Sequence, residues 1–256
     1  MTYNIRNGRG SDRRVDLGRV AAVIAAFDPD VVGLQEIDLE HARSGNVDQI
    51  AELAARLSLT AHYAPYIEDG PDRHGIATLT RLPVLGTRYV ELPGRARRWW
   101  SEPRCALVTR LAVPTPTGSL DVVNTHLSVV PAERHTQVAV LTGVLDHHEL
   151  IALGDLNCTS WSTPFRNLSR NLRPATRGAR SWPASLPMVQ LDHILVRGTL
   201  TVIRSGTWRG GPARQASDHL PVVAELGTLS TSSTLDPQSR DITRHERDGL
   251  HDLGER

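Results

Sequence analysis

The sequence predicts an α/β protein in which two β-sheets pack together with helices outside. Short apolar runs typical of buried strands recur along the chain, and helical periodicity separates only some of them. Turn-like segments around Pro83, Pro116-Thr117-Gly118 and Arg197-Gly198 predict hairpins between others. Because helices and hairpins alternate in this way, we expect two mixed sheets rather than one parallel sheet.

Three helices follow from apolar spacing. Asp16–Phe27 repeats apolar residues at helical intervals and ends at Asp28-Pro29-Asp30, and Asp48–Leu57 has one apolar face. Pro131–Leu145 starts with a proline, which is favoured in the first helical turn. The predicted strands are Thr2–Asn4, Val31–Gln35, Ala61–Tyr66, Gly75–Thr80, Val84–Leu92, Ala106–Val113, Leu120–Leu127, Leu150–Leu153, Leu191–Val196, Leu200–Thr207 and Val222–Leu226.

Composition bounds the domain organisation. The 256 residues are 39% hydrophobic and 4% aromatic, so aliphatic side chains must fill most of the core. Residues 1–227 are predicted to form one domain, and residues 228–256 a polar, flexible tail that has too few apolar groups to offset ordering. The net charge of +1 gives no global attraction to nucleic acid or anionic membranes.

Cellular context is predicted from what the sequence carries. Cys105 and Cys158 are too few for a disulfide framework. The alternatives are a single bridge and two small, partly buried thiols in a reduced protein, and we expect the second. No run reaches the roughly 18 apolar residues of a membrane span, so no transmembrane segment is expected. As written, the chain has no signal peptide and predicts a cytoplasmic protein, whereas a signal in an upstream segment would make it secreted.

Polar groups follow several apolar strands. Thr2-Tyr3-Asn4, Leu34-Gln35-Glu36, Asn124-Thr125-His126-Leu127, Gly154-Asp155-Leu156-Asn157 and Ser217-Asp218-His219 each place them there. Each cluster has an ordinary explanation: a solvated carboxylate, an Asx turn or a structural histidine. No single ordinary explanation covers five clusters with the same chemistry. Carboxylates, amides and imidazoles together suit binding of Mg²⁺ and acid–base catalysis on a phosphate.

Asp192 is a charged residue inside the apolar run Gln190–Leu195. Burying a charge without a partner is costly, and an imidazole such as His219 would compensate it. His193, its neighbour, points to the opposite face of the strand and is expected to be structural.

These motifs occur in the order and spacing of a known superfamily. From Tyr3 to Leu226 the chain resembles the endonuclease/exonuclease/phosphatase superfamily, which includes DNase I-like nucleases, neutral sphingomyelinases and inositol-polyphosphate phosphatases. The resemblance implies a four-layer α/β sandwich of two packed mixed sheets flanked by helices. It also implies a divalent-metal-dependent phosphoesterase in which water attacks a phosphodiester or phosphomonoester in line.

The resemblance assigns roles to individual residues. It implies that Asn4 and Glu36 bind the metal, with Asp218 near it. It implies that Mg²⁺ is the cofactor, as one or two ions, with Mn²⁺ able to substitute. It implies that Asp155 and Asn157 orient the attacking water and the phosphate. It implies that His126 stabilises the phosphoryl oxygens or the leaving group, and that His219, paired with Asp192, acts as base or phosphate ligand.

One part of the pattern departs from the family. Gly75–Pro83 matches a family strand, but it lacks the glutamate that DNase-like members carry beside it to orient the strand-ending histidine. The partner of His126 is therefore open, and His74 is a candidate for the rim of the site.

Substrate preference depends on a basic and aromatic run. Arg97, Arg98, Trp99 and Trp100 suit contact with phosphate, stacked bases or a membrane interface. A lipid headgroup or small phosphate ester is favoured, with peripheral membrane contact as one consequence and a monomer expected. The alternatives are a Mg²⁺-dependent nuclease acting on nucleic acid and a non-catalytic binding module on the same fold.

Overall fold

The strands form two β-sheets of mixed direction. The computed structural model describes residues 1–66, 73–94 and 102–228, and within them each sheet has six strands. The first sheet contains, in spatial order, β11 (Leu200–Thr207), β12 (Val222–Thr228), β1 (Thr2–Asn4), β2 (Val31–Leu39), β4 (Arg73–Thr80) and β3 (Thr60–Pro65). The second contains β5 (Val84–Leu92), β6 (Arg104–Ala112), β7 (Ser119–His126), β8 (Leu150–Asp155), β10 (Asp192–Arg197) and β9 (Arg173–Pro174). In the pairs β1–β2 and β7–β8 the strands run parallel, and the other described pairs are antiparallel.

Helices cover the outer faces of the two sheets. The helices are α1 (Leu17–Phe27), α2 (Gln49–Leu57), α3 (Pro131–Val144), α4 (Thr163–Leu168) and α5 (Ala213–Ala216). Asp16 and Asp48 cap the first two, each accepting a hydrogen bond from a backbone N–H of the first turn. Apolar residues of α1 and α2 pack with the first sheet, and those of α3 and α4 with the second. The predicted four-layer α/β sandwich is confirmed. Helices α4 and α5 were not predicted, because six and four residues are too few to show a helical period.

Two of the three predicted hairpins are wrong. The turn at Pro116–Gly118 does join the antiparallel pair β6–β7. At Pro83 and at Arg197-Gly198, however, the chain crosses from one sheet to the other, because β4 and β5 lie in different sheets, as do β10 and β11. A short polar turn looks the same in sequence whether it closes a hairpin or connects two sheets. Only the strand with which the next strand pairs distinguishes the two kinds of turn.

An aliphatic layer holds the sheets together. Leu111, Val122, Leu153, Ile194 and Val222 are among its buried members. Towards the carboxyl end of β2 the layer turns polar, where the Gln35 amide donates to Asn124 Oδ1 at 2.8 Å and so joins the two sheets. Gly33 allows their close approach, since an added Cβ would lie 2.1 Å from Leu153 Cδ1.

The opposite end of the sandwich contains a pocket of about 660 Å³. Its lining is mainly apolar and includes Val31, Leu120 and Ile151, at the starts of parallel strands. Among the helices of the described residues, none has the length and apolar character that crossing a bilayer requires. Cys105 and Cys158 are free thiols, as expected, and both are more deeply buried than the expected partial burial.

Candidate active site

Most of the predicted polar groups converge at one edge of the sandwich. Asn4, His126 and Asp155 are the last residues of β1, β7 and β8, whose carboxyl ends reach this edge. Strand β10 runs antiparallel to β8, so its first residue, Asp192, lies opposite Asp155. His219 arrives on the loop before β12. Parallel and antiparallel strands therefore bring together residues as much as 215 positions apart in the sequence.

Asp155 is at the centre of this group. Its Oδ2 accepts a hydrogen bond from Asn4 Nδ2 at 3.1 Å. The same oxygen lies 3.6 Å from His126 Nε2 and 3.8 Å from His219 Nε2. Gly154, with φ of +148°, permits this position, because a Cβ there would meet Thr125 O at 1.8 Å. One carboxylate oxygen thus accepts a hydrogen bond from an amide and lies within 3.8 Å of two imidazoles.

Glu36 does not end its strand as the sequence suggested. Strand β2 continues to Leu39, and the pairing register with β4 shifts between Gln35 and Ile37. Glu36 is the extra residue of this β-bulge and has φ of +55°. The bulge directs its carboxylate towards the site, where Oε1 accepts a hydrogen bond from Asn4 Nδ2 at 2.8 Å. A single inserted residue leaves no mark on the apolar pattern, which explains the missed strand end.

His219 and Asp192 form a buried pair. His219 Nδ1 lies 2.8 Å from Asp192 Oδ2, and Asp192 is fully buried. Burial opposes the charged ring, but the carboxylates of Asp192 and Asp155 outweigh it and raise the pKa of His219 to about 10. At neutral pH the ring is therefore an imidazolium held between two carboxyl groups.

The surroundings of Asp155 favour its neutral form. Burial and the nearby Asp192 carboxylate raise its pKa to about 7, although His219, Asn157 and Asn4 favour the charged form. Asp155, Asp192 and His219 also place possible ligand atoms within 4.8 Å of one another, a spacing that suits a metal ion only when His219 is deprotonated. Negative charge is in excess here, which favours a bound cation.

Asn157 is held both by its backbone N–H and by the nitrogen of its side-chain amide. Its backbone N–H donates to Asp155 Oδ1 at 2.9 Å in an Asx turn, and its own φ is +48°. Its side-chain nitrogen lies 2.9 Å from Leu127 O and 3.0 Å from His126 Nε2. Among the described residues, the side-chain atom that remains to accept a further hydrogen bond is therefore Oδ1.

Tyr66 is the partner of His126, for which no carboxylate was found in the sequence. Its hydroxyl lies 3.0 Å from His126 Nδ1, and the Arg104 guanidinium carbon lies 4.9 Å from the centre of its ring. Burial and the Arg104 charge hold the pKa of His126 well below its usual value. Sequence reasoning missed both residues. The available signals were the position of Tyr66 at the end of a predicted strand and that of Arg104 near the start of another. Neither signal is specific.

The remaining predicted residues lie further out. Asp218 is half-exposed, with Oδ2 3.6 Å from Arg6 Nε, and its neighbour Ser217 donates to Asn4 O at 2.8 Å. His74 lies behind Tyr66, with its ring edge-on at 5.1 Å and Nε2 3.9 Å from Glu102 Oε2. His193 Nε2 contacts Cys158 O at 2.8 Å, away from the cluster. Arg97, Arg98, Trp99 and Trp100 lie outside the described residues, as does the predicted tail beyond Thr228.

Comparison with known proteins agrees with this architecture. The chain is 26% identical over 255 residues to the uncharacterized protein YbhP of Escherichia coli, a match that covers 88% of this chain and 94% of YbhP. The structure is similar to that of an endonuclease/exonuclease/phosphatase from Beutenbergia cavernae, with a TM-score of 0.70, 24% identity and coverage of 89% of this chain and 70% of that one. It is also similar to the mannosyl-6-phosphatase Bt3783 of Bacteroides thetaiotaomicron, with a TM-score of 0.68, 20% identity and coverage of 88% and 98%. Residues 1–219 match the model of the Endonuclease/Exonuclease/phosphatase family, and the chain belongs to that family.

Proposed function

We propose that this protein is a divalent-metal-dependent phosphoesterase that hydrolyses a phosphodiester or phosphomonoester by attack of an activated water. Members of the family are generally hydrolytic phosphoesterases. The observation that carries the proposal is the environment of Asp155 Oδ2, which an amide and two imidazoles surround at 3.1 to 3.8 Å. An arrangement of this kind can hold a water, a phosphoryl oxygen and a proton acceptor at one point.

The donor set fits a hard cation. Glu36 and Asp155 carboxylates both lie within 3.1 Å of one Asn4 nitrogen, and Asp218 is joined to Asn4 through Ser217. Carboxylate and amide oxygens are the ligands that Mg²⁺ prefers. Burial, and after it the Asp192 carboxylate, raises the pKa of Asp155, so a nearby cation would stabilise its charged form. We therefore assign Glu36, Asn4 and Asp218 to a Mg²⁺ site, which Mn²⁺ can also occupy.

A bound divalent cation would supply charge neutralisation of the phosphate and lower the pKa of a coordinated water. The protein groups around it have distinct tasks. Asp155 is suited to accept the proton of the attacking water, because the Asn4 amide and the two imidazoles surround its Oδ2 at 3.1 to 3.8 Å. His219, kept cationic by Asp192, is suited to bind a phosphoryl oxygen. Asn157 offers Oδ1 to orient the water, and His126 fixes that amide.

A small phosphate ester or lipid headgroup is the favoured substrate. The near-zero net charge provides no broad attraction for a polyanion, which nucleic-acid binding usually requires. The similarity to a mannosyl-6-phosphatase supports a small phosphomonoester within this proposal. Arg97, Arg98, Trp99 and Trp100 are proposed to contact the substrate beyond the scissile phosphate.

A substrate panel tests the proposal. The purified protein is assayed with Mg²⁺, Mn²⁺ or EDTA on bis-nitrophenyl phosphate, nitrophenyl phosphate, sphingomyelin, inositol phosphates, plasmid DNA and RNA. We expect metal-dependent release from small esters that Asp155→Asn abolishes, with Glu52→Gln, a partly exposed helix residue outside the candidate site, as the unaffected control. Rapid DNA nicking without ester cleavage would favour the nuclease alternative. Ligand binding with no hydrolysis of any substrate would favour the binding module.

A further inference from the structure

A continuous chain of contacts links Tyr66 to the turn after β8. The Tyr66 hydroxyl lies 3.0 Å from His126 Nδ1. The other nitrogen of the same ring, Nε2, lies 3.0 Å from Asn157 Nδ2, which also lies 2.9 Å from Leu127 O. Tyr66, His126 and Leu127 are buried, so solvent does not compete for these contacts.

The last contact determines the direction of all the others. Leu127 O is a backbone carbonyl and can only accept, so the Asn157 atom facing it must be the nitrogen. The second hydrogen of that NH₂ group points to His126 Nε2, which must then accept with its lone pair. A neutral imidazole carries one proton, and this proton is therefore on Nδ1, where it donates to the Tyr66 oxygen. Asp155 Oδ2, 3.6 Å from Nε2, is beyond normal hydrogen-bonding distance.

We infer that Tyr66 is a positioning residue that holds His126 in its Nδ1–H form and, through His126, orients the amide of Asn157. This inference rests on the proposed function for its effect on catalysis, but the tautomer itself follows from contacts alone. With both amide hydrogens engaged, Asn157 presents Oδ1 to the site. Loss of the Tyr66 oxygen would free the His126 proton to move to Nε2, where it would repel the Asn157 N–H group.

A tyrosine affects this histidine differently from a carboxylate. A carboxylate beside Nδ1 would stabilise an imidazolium and make the ring a proton donor. The Tyr66 phenol is neutral, and the Arg104 guanidinium over its ring adds positive charge near His126. Both features favour a neutral ring, which agrees with the lowered pKa of His126. His126 then serves to hold Asn157 and does not protonate a leaving group.

Nitrogen NMR of the histidine rings tests the tautomer directly. The full-length protein labelled with ¹⁵N at histidine is measured without metal and with Mg²⁺, and His126→Gln identifies the signal. We expect the His126 Nδ1 resonance in the protonated range and Nε2 in the unprotonated range. A protonated Nε2 in both states would overturn the inference and leave the proposed phosphoesterase activity untouched.

Tyr66→Phe tests the positioning role, and Tyr63→Phe is its matched control. The Tyr63 hydroxyl makes no hydrogen bond among the described residues, so its removal changes volume and polarity without breaking a contact. With bis-nitrophenyl phosphate and Mg²⁺, we expect Tyr66→Phe to lower kcat about 3- to 10-fold with little change in KM, as loss of one neutral hydrogen bond implies. The same variant should show mixed His126 tautomers. Unchanged kcat and tautomer in a folded Tyr66→Phe protein would refute the assignment, and an inactive wild-type protein would count against the proposed function only.

Discussion

Replacing Asp192 with asparagine should change the pH dependence of folding stability. The rise in the pKa of His219 from 6.5 to about 10 corresponds to roughly 5 kcal/mol in favour of the charged ring, since one pKa unit is about 1.4 kcal/mol. Asp192, at 2.8 Å, is the nearer of the two carboxylates responsible. Breaking a buried ion pair by removing one partner costs about 3–5 kcal/mol, which agrees in scale.

The sign of the effect follows from the direction of the pKa change. Because the folded protein binds this proton more tightly than the unfolded chain, the ion pair stabilises the fold fully below pH 6.5. That stabilisation is lost as the pH rises towards 10. The free energy of unfolding lost in Asp192→Asn should therefore be about 3 kcal/mol at pH 6 and should fall towards about 1 kcal/mol near pH 10, where a neutral hydrogen bond remains.

Urea unfolding of both proteins at pH 6, 8 and 10 measures this difference. Asp121→Asn is the matched control, because Asp121 is also a buried strand aspartate but pairs with Arg110, at 2.7 Å. A guanidinium does not titrate in this range, so its cost should be the same at each pH. An equal cost for Asp192→Asn at pH 6 and pH 10 would show that His219 is not held as a cation.

Three further outcomes are expected. Saturating Mg²⁺ at about 100 times its dissociation constant should stabilise the protein by about 2.7 kcal/mol in calorimetry, and EDTA should reverse the shift. Glu36→Gln should lose the stabilisation by Mg²⁺ and should lower metal-dependent hydrolysis in the ester assay at least about 100-fold. Its melting temperature in EDTA should stay at the wild-type value. A retained stabilisation by Mg²⁺ would exclude Glu36 as a ligand. Gly33→Ala should cost about 2–3 kcal/mol in urea unfolding, because its Cβ would overlap Leu153, and full stability would contradict the close approach of the sheets.

Strands and helices were largely predictable because their signals are local. Strands β5 and β11 have the predicted bounds, and α1 begins one residue after the predicted start at Asp16. The partner of each strand was not predictable, as Pro83 and Gly198 show. Either turn could have closed a hairpin, and the outcome depends on which sheet the next strand joins, which is a property of the whole fold.

Residues of the candidate site also divide into those with a local sequence signal and those without one. Polar groups at strand ends, such as Asp155 and His126, could be found because they interrupt an apolar pattern. The bulge at Glu36 could not, because its effect is a change of direction within a strand that reads as continuous. Tyr66 could not either, since its contact with His126 joins positions 60 residues apart and replaces a carboxylate that the family pattern would have suggested.

The site depends on the junction between the sheets as much as on its own side chains. Asn4 and Glu36 belong to the first sheet, and Asp155 and His126 to the second, so every contact of Asn4 with Asp155 crosses from one sheet to the other. Just beneath, Asn124 fixes that crossing: its amide donates to Leu34 O and Ala77 O at 3.2 and 2.9 Å and accepts from Gln35. A buried polar network with this many partners permits few alternative registers, because each displaced group would lose a hydrogen bond without gaining water. A small relative movement of the sheets would separate the Asn4 amide from Asp155 before it disturbed the aliphatic layer, so the geometry of the candidate site is the property of the fold most sensitive to sheet packing.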